Sequence, residues 1–125
     1  MISIDYQSRT PLYEQIVERF QRLILKGILE PGSQMPSVRT LAVKLSINPN
    51  TIQKAYTLLE QQGYIYPVKG RGNFIADVSL LLKQQQEHYL KELEQSLLRA
   101  KDFGITKDDC YTLIHKIYNE EVLHA

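Results

Sequence analysis

Few side chains in this 125-residue chain could perform chemistry. Its three histidines (His88, His115, His124) are dispersed, and Cys110 stands five residues before His115. Two such ligands do not make a metal site. Gly70-Arg71-Gly72 falls between two β-type runs and cannot head a helix, so it is no nucleotide-binding glycine loop. Neither a catalytic residue nor a metal or cofactor is expected. What remains is a cluster of amides, a hydroxyl and a lysine: Asn48, Asn50, Thr51, Gln53 and Lys54. Groups of this kind read base edges and phosphates in a DNA major groove. Taken alone, the same cluster is also an ordinary wet helix face, and its surroundings must decide.

Those surroundings begin with the helix itself. Asn48 suits an N-cap and Pro49 the first helical position, where its missing N–H costs nothing. Ile52, Ala55, Tyr56 and Leu59 recur at helical spacing, and Gly63 is a left-handed stop. Upstream, Ser37 caps a shorter helix whose apolar side is Val38, Leu41, Ala42 and Leu45. Ser46-Ile47-Asn48 separates the two around one buried aliphatic, which is a helix-turn-helix pattern. In such a pair the second helix enters the groove by its N-terminal residues. Downstream, Tyr64–Val68 and Asn73–Ala76 are rich in aromatic and β-branched residues and read as strands. Between them Lys69-Gly70-Arg71-Gly72 forms a cationic turn, a wing suited to lie along phosphates or enter a minor groove. Residues 1–9 read as a short polar arm, followed by a helix from Thr10-Pro11 to Gly27 that buries Leu12, Ile16, Phe20, Leu23 and Ile24. Pro31-Gly32 marks a turn, and Gln34-Met35 leaves room only for a very short strand.

From Asp77 the chain returns to helix. Asp77 or Ser79 caps a long segment ending near Asp102, with Leu82, Leu90, Leu93, Leu97 and Ala100 near heptad spacing. A last helix opens at Thr106–Asp109 and carries Leu113, Ile114, Ile117 and Tyr118 on one side. Two such helices cannot satisfy both apolar faces by themselves, and a second copy of the pair would. The expected fold is mainly α with a small β-hairpin: a winged helix-turn-helix domain over residues 1–76, then two dimerising helices over residues 77–125. Charge divides in the same place. Residues 1–76 carry nine basic against five acidic groups, and residues 77–125 carry six against nine. That suits a polyanion-binding module with an appendage that stays off the polyanion. A hydrophobic share of 43% with 23% charged residues is that of a folded globular chain. A single cysteine excludes an intramolecular disulfide, and no signal-like start or spanning apolar run is seen, so a cytoplasmic protein without a membrane partner is expected.

Residues 10–76 resemble the winged helix-turn-helix domain of GntR-type bacterial transcription regulators. The resemblance is carried by Pro11-Leu-Tyr-Glu-Gln-Ile16, by Gly27-x-Leu29-x-Pro31-Gly32-x-x-Met35-Pro36-Ser37-x-Arg39-x-Leu41-Ala42, by Asn48-Pro-Asn-Thr-Ile-x-Lys-Ala-Tyr56, and by Leu59-Glu-x-x-Gly-Tyr-Ile65 with Lys69-Gly-Arg-Gly72. The short two-helix tail resembles that of the YtrA subfamily. The resemblance implies a DNA-binding repressor acting as a homodimer on an inverted-repeat operator, with control of a transporter operon as a further expectation. It places Arg39 beside the groove, Asn48, Asn50, Thr51 and Gln53 on bases and phosphates, and Lys69 and Gly70 at the wing tip with Arg71 next to them; the residue type itself suits Lys54 to phosphate. Some relatives carry arginine where this chain has Pro49 and Gln53, so its base readout is expected to differ. Dimerisation falls to Leu82, Leu90, Leu93, Leu97, Leu113, Ile114 and Ile117. The tail has too few residues to enclose an effector pocket within one protomer, and the sequence names no effector. The competing reading is a winged-helix module for protein–protein interaction. Salt separates the two, because phosphate-driven binding weakens with a log–log slope of about −0.9 per neutralised phosphate.

Overall fold

The computed structural model describes residues 2–119. Among them the elements run α1 (Leu12–Leu25), α2 (Val38–Leu45), α3 (Pro49–Gln61), β1 (Ile65–Val68), β2 (Gly72–Ile75), α4 (Ser79–Asp102) and α5 (Lys107–Asn119). This is the mainly helical architecture with one hairpin that the sequence predicts. The chain divides into two units, residues 1–82 and 83–125, and each is taken by itself.

In the first unit, α1, α2 and α3 surround one core. Ile16, Phe20, Ile24, Leu41, Ile47, Ile52, Ala55, Tyr56 and Leu59 are all buried in it. Each large apolar side chain removed from water in this way contributes roughly 1.5–3 kcal/mol. Tyr56 is among the most deeply buried of these. Its ring meets Phe20 edge-on at 6.0 Å, and its hydroxyl donates to the Pro36 carbonyl at 2.7 Å. Burial pushes the Tyr56 phenol well above its ordinary pKa, so it stays protonated. The hairpin closes one side through Ile65 and Ile75, which pair across the ladder. Val78, just before α4, is also buried, and Leu81 in its first turn packs on the same core. The first unit therefore extends past residue 76, where the composition changes.

Helix ends explain the punctuation. After α1 and after α3 the chain turns through a positive-φ glycine, Gly27 and Gly63, closing paired backbone bonds. For α3 these run from Gly63 N–H to Glu60 and from Tyr64 N–H to Leu59. After α2 the same bonds form, Ser46 to Val43 and Ile47 to Ala42, but the left-handed residue is Ser46, at φ 54°. Outside glycine this conformation costs roughly 1–2 kcal/mol. Ile47 follows it into the core, which fixes the turn between α2 and α3.

Helices α4 and α5 are built differently. Asp77 accepts from the Ser79 amide at 3.0 Å and from its hydroxyl at 2.6 Å, so Asp77 is the residue that caps α4. Those bonds, the hydroxyl's first, hold its carboxyl below the usual pKa. Thr106 and Asp109 cap α5 reciprocally, backbone N–H to side chain in both directions, at 2.9 and 3.1 Å. Yet neither α4 nor α5 contains a buried residue. Leu82, expected with the dimerising residues, is the last residue of the first unit. The polar run Lys83–His88 separates it from the stripe that starts at Tyr89.

Candidate nucleic-acid interface

Asn48 opens α3 as expected: its side-chain oxygen accepts from the Asn50 amide at 2.8 Å. That bond engages one lone pair of the amide oxygen and leaves its NH2 able to donate, so Asn48 has a structural task as well. With the apolar stripe turned into the core, Asn50, Gln53, Thr57 and Gln61 are left on the outer face, all exposed. Thr51 is half-buried at the edge of this face. Gln53 reaches along the helix to Thr57 at 3.4 Å, a long and weak bond that a better partner can displace. The face is uncharged and hydrogen-bonding until Glu60, which suits base edges more than it suits phosphate.

Cations flank it. Arg39 is exposed in the first turn of α2. Beside it, Ser37 caps α2 by accepting from the Thr40 amide at 3.0 Å and donates to the Thr40 hydroxyl at 2.8 Å. Lys54 behaves differently from its neighbours. Its ammonium sits 3.8 Å from the centroid of the Tyr13 ring on α1. The Tyr13 hydroxyl in turn donates to Glu14 at 3.2 Å, and that bond, reinforced by the carboxylate's charge, raises the phenol's pKa. Lys54 is thus drawn toward α1 rather than standing with Gln53. Sequence spacing put both on one polar face and carried no signal for the tyrosine.

At the wing, Lys69, Gly70 and Arg71 form a three-residue tip between Val68 and Gly72, which face one another in the ladder. The tip closes by the Arg71 amide donating to the Val68 carbonyl at 2.9 Å. Gly70 and Gly72 both have positive φ, 77° and 108°. The Arg71 guanidinium lies 5.7 Å from the Phe74 ring, and Phe74 stacks on Tyr66 at 6.0 Å. Residues 32–35 run beside β2 as a further short strand-like segment, the brief strand expected at Gln34-Met35.

The N-terminal arm is not free. The buried Gln15 side chain accepts from the Asp5 amide at 2.9 Å and donates to the carbonyls of Asp5 and Thr10, at 2.8 and 2.9 Å. Arg19 donates to Ser3, and the Tyr6 hydroxyl donates to the Leu45 carbonyl at the end of α2. The arm therefore joins α1 to the helix-turn-helix. Gln15 is one of two glutamines on α1 and nothing in its spacing singles it out, so only its partners reveal its use.

No group of three or more potential metal ligands gathers among the described residues. Cys110 and His115 share α5, but five residues advance a helix by about 140°, which points them to different sides. His124 lies outside the described residues.

With this geometry in view, the pattern of "Bacterial regulatory proteins, gntR family" matches residues 12–75, which takes in all three helices and the hairpin. The chain belongs to the GntR family. It is 39% identical to the HTH-type transcriptional repressor YtrA of Bacillus subtilis (strain 168), over 94% of this chain and 92% of that protein. A GntR family transcriptional regulator from Listeria monocytogenes superposes with a TM-score of 0.69 at 33% identity, covering 90% of this chain and 98% of that one. The DNA-binding domain of AraR, solved in complex with operator ORE1, superposes with a TM-score of 0.52 at 30% identity, covering 59% of this chain and 90% of that one. This GntR chain is accordingly a DNA-binding transcriptional regulator and not an enzyme.

Proposed function

We propose that this protein is a cytoplasmic repressor that binds an inverted-repeat operator as a homodimer, and that its operator controls a transporter operon. The observation that carries the reading is the exposed, uncharged ridge of Asn50, Gln53 and Thr57 on α3, in a unit that also exposes Arg39 on α2 and Lys69 and Arg71 at the wing tip. Residues 48–57 would enter a major groove, with Asn50, Thr51 and Gln53 at bases and Arg39 and Lys54 at phosphate or guanine edges. To reach phosphate, Lys54 gives up its place over Tyr13, exchanging a cation–π contact for an ion pair. The wing tip lies along the adjoining phosphates or minor groove. In this division residues 1–76 bind DNA and residues 77–125 dimerise, and two-fold symmetry spaces the half-sites about one helical turn, ~34 Å.

Several observations support dimerisation through the tail. Leu90, Leu93 and Leu97 on α4 and Leu113, Ile114 and Ile117 on α5 are all exposed, between 44% and 65%. Apolar side chains in such number are those of a surface that another chain covers. A like copy also matches the symmetry of an inverted repeat. Any effector would then bind where two protomers meet.

An anisotropy titration on the duplex upstream of the protein's own gene, against a scrambled duplex, tests the reading. Selective binding is expected, weakening steeply with salt, and Arg39→Ala should lose ~1–3 kcal/mol if it meets a base and less if it meets only phosphate. Equal affinity for both duplexes at all salt concentrations would refute it. A reporter driven by the same promoter should rise when the gene is deleted.

A further inference from the structure

The wing tip holds two of the cations that the proposed DNA contact needs, yet little secures it. Its closing backbone bond and a 5.7 Å ring contact from Arg71 to Phe74 are modest restraints on an exposed loop. One further bond comes from outside the hairpin. The segment before α2 is anchored along β2 by three backbone bonds of 2.8 Å: Gly32 N–H to Ile75, Ile75 N–H to Ser33, and Met35 N–H to Asn73. Met35 is buried in the core. Between these anchors Gln34 faces Phe74, and its side-chain amide donates to the Arg71 carbonyl at 2.7 Å. A carbonyl can only accept, so the NH2 end of the amide must be the one that meets it. Gly72 makes the approach possible. A Cβ there would stand 3.2 Å from the Gln34 nitrogen, and at φ 108° a side chain would be strained as well.

We infer that Gln34 is a positioning residue for DNA binding: it pins the Arg71 backbone to the core-anchored segment and so presents Lys69 and Arg71 in a fixed arrangement. The inference rests on the wing's contact with DNA proposed above. Its physical content is preorganisation. A tip already ordered in the free protein loses less conformational freedom when it meets the duplex. Gln34 itself need not touch DNA.

The test uses the full chain and a duplex selected from a random-sequence pool by the wild-type protein. Gln34→Met keeps the side chain's length and removes the donor. We expect an affinity loss of about three- to tenfold, the range of one exposed to half-protected hydrogen bond. The melting temperature should be nearly unchanged. Backbone order at Gly70–Gly72 should fall in NMR relaxation, and the Arg71 amide should exchange faster. In an Arg71→Ala background the same substitution should cost less, because the side chain being positioned is gone. Unchanged order and exchange at the tip would overturn the clamp itself. Equal losses in both backgrounds would overturn its role in placing Arg71. If the wild-type protein selects no duplex, the DNA-binding reading fails, while the relaxation data still report on the clamp.

Discussion

The two units handle similar apolar side chains in opposite ways. In the first, Phe20, Ile52 and Leu59 are fully buried, and every buried polar side-chain atom among the described residues has a partner. In the second, Leu93, Leu97 and Ile114 stay about half exposed, on helices capped as carefully as those of the first. Caps define where a helix starts; they do not supply the packing that keeps it folded. The first unit thus closes a core of its own, whereas the second leaves its leucines exposed, on the surface proposed above for dimerisation. The family pattern ends at residue 75, inside the first unit, while the likeness to the YtrA repressor runs over 94% of the chain and so takes in the tail.

The largest test of the contrast is in the core. Phe20→Ala should cost about 3–5 kcal/mol in urea unfolding, because a fully buried ring leaves a cavity that its neighbours cannot close. A smaller loss would mean that the first unit is packed less tightly than its burial indicates. In the second unit, Leu93→Glu with Leu97→Glu should leave that core's unfolding midpoint in place while converting dimer to monomer in sedimentation. Affinity for a palindromic duplex should drop by about 100-fold or more as bivalency is lost. A variant that stays dimeric would show that the contrast between the units has another cause.

Smaller effects probe single bonds. Tyr56→Phe removes the donor to the Pro36 carbonyl and should cost about 1–2 kcal/mol. It should also change the alkaline limb of stability. An unfolded tyrosine ionises near pH ~10 while the folded one resists, so its contribution is complete below about pH 10 and is lost as pH rises further. The Phe variant lacks that component, which the difference between the two pH–stability curves measures. Smallest of all, Ser46→Gly should stabilise by about 0.5 kcal/mol, relief of the left-handed serine being partly offset by a freer unfolded chain.

How much of this was legible in the sequence depended on whether a feature is local. Asn48-Pro49 and Gly63 bound α3 where the cap and stop chemistry put them, and the periodicity of Ile52, Ala55, Tyr56 and Leu59 picked out its buried side. Asp77 and Ser79 both suited the start of α4, and only the hydrogen bonds chose Asp77. Long-range pairings were invisible. Nothing in the residue order joins Lys54 to Tyr13, Gln34 to Arg71, or Tyr6 to the end of α2. Heptad counting likewise does not register that Leu81, next to Leu82, packs on the core of the winged domain.

The turn at Ser46 and the stripe beneath α3 hold that helix without help from Asn50, Gln53 or Thr57. On the reading proposed above, the residues that specify the fold and those that read a sequence therefore occupy largely separate positions, with the cap Asn48 shared between them. Exchanging the exposed Asn50, Gln53 and Thr57 for other good helix formers should then cost the scaffold little, so a lineage could drift from one regulatory target to another one substitution at a time. An engineer could randomise those positions in this chain and expect most of the library to fold.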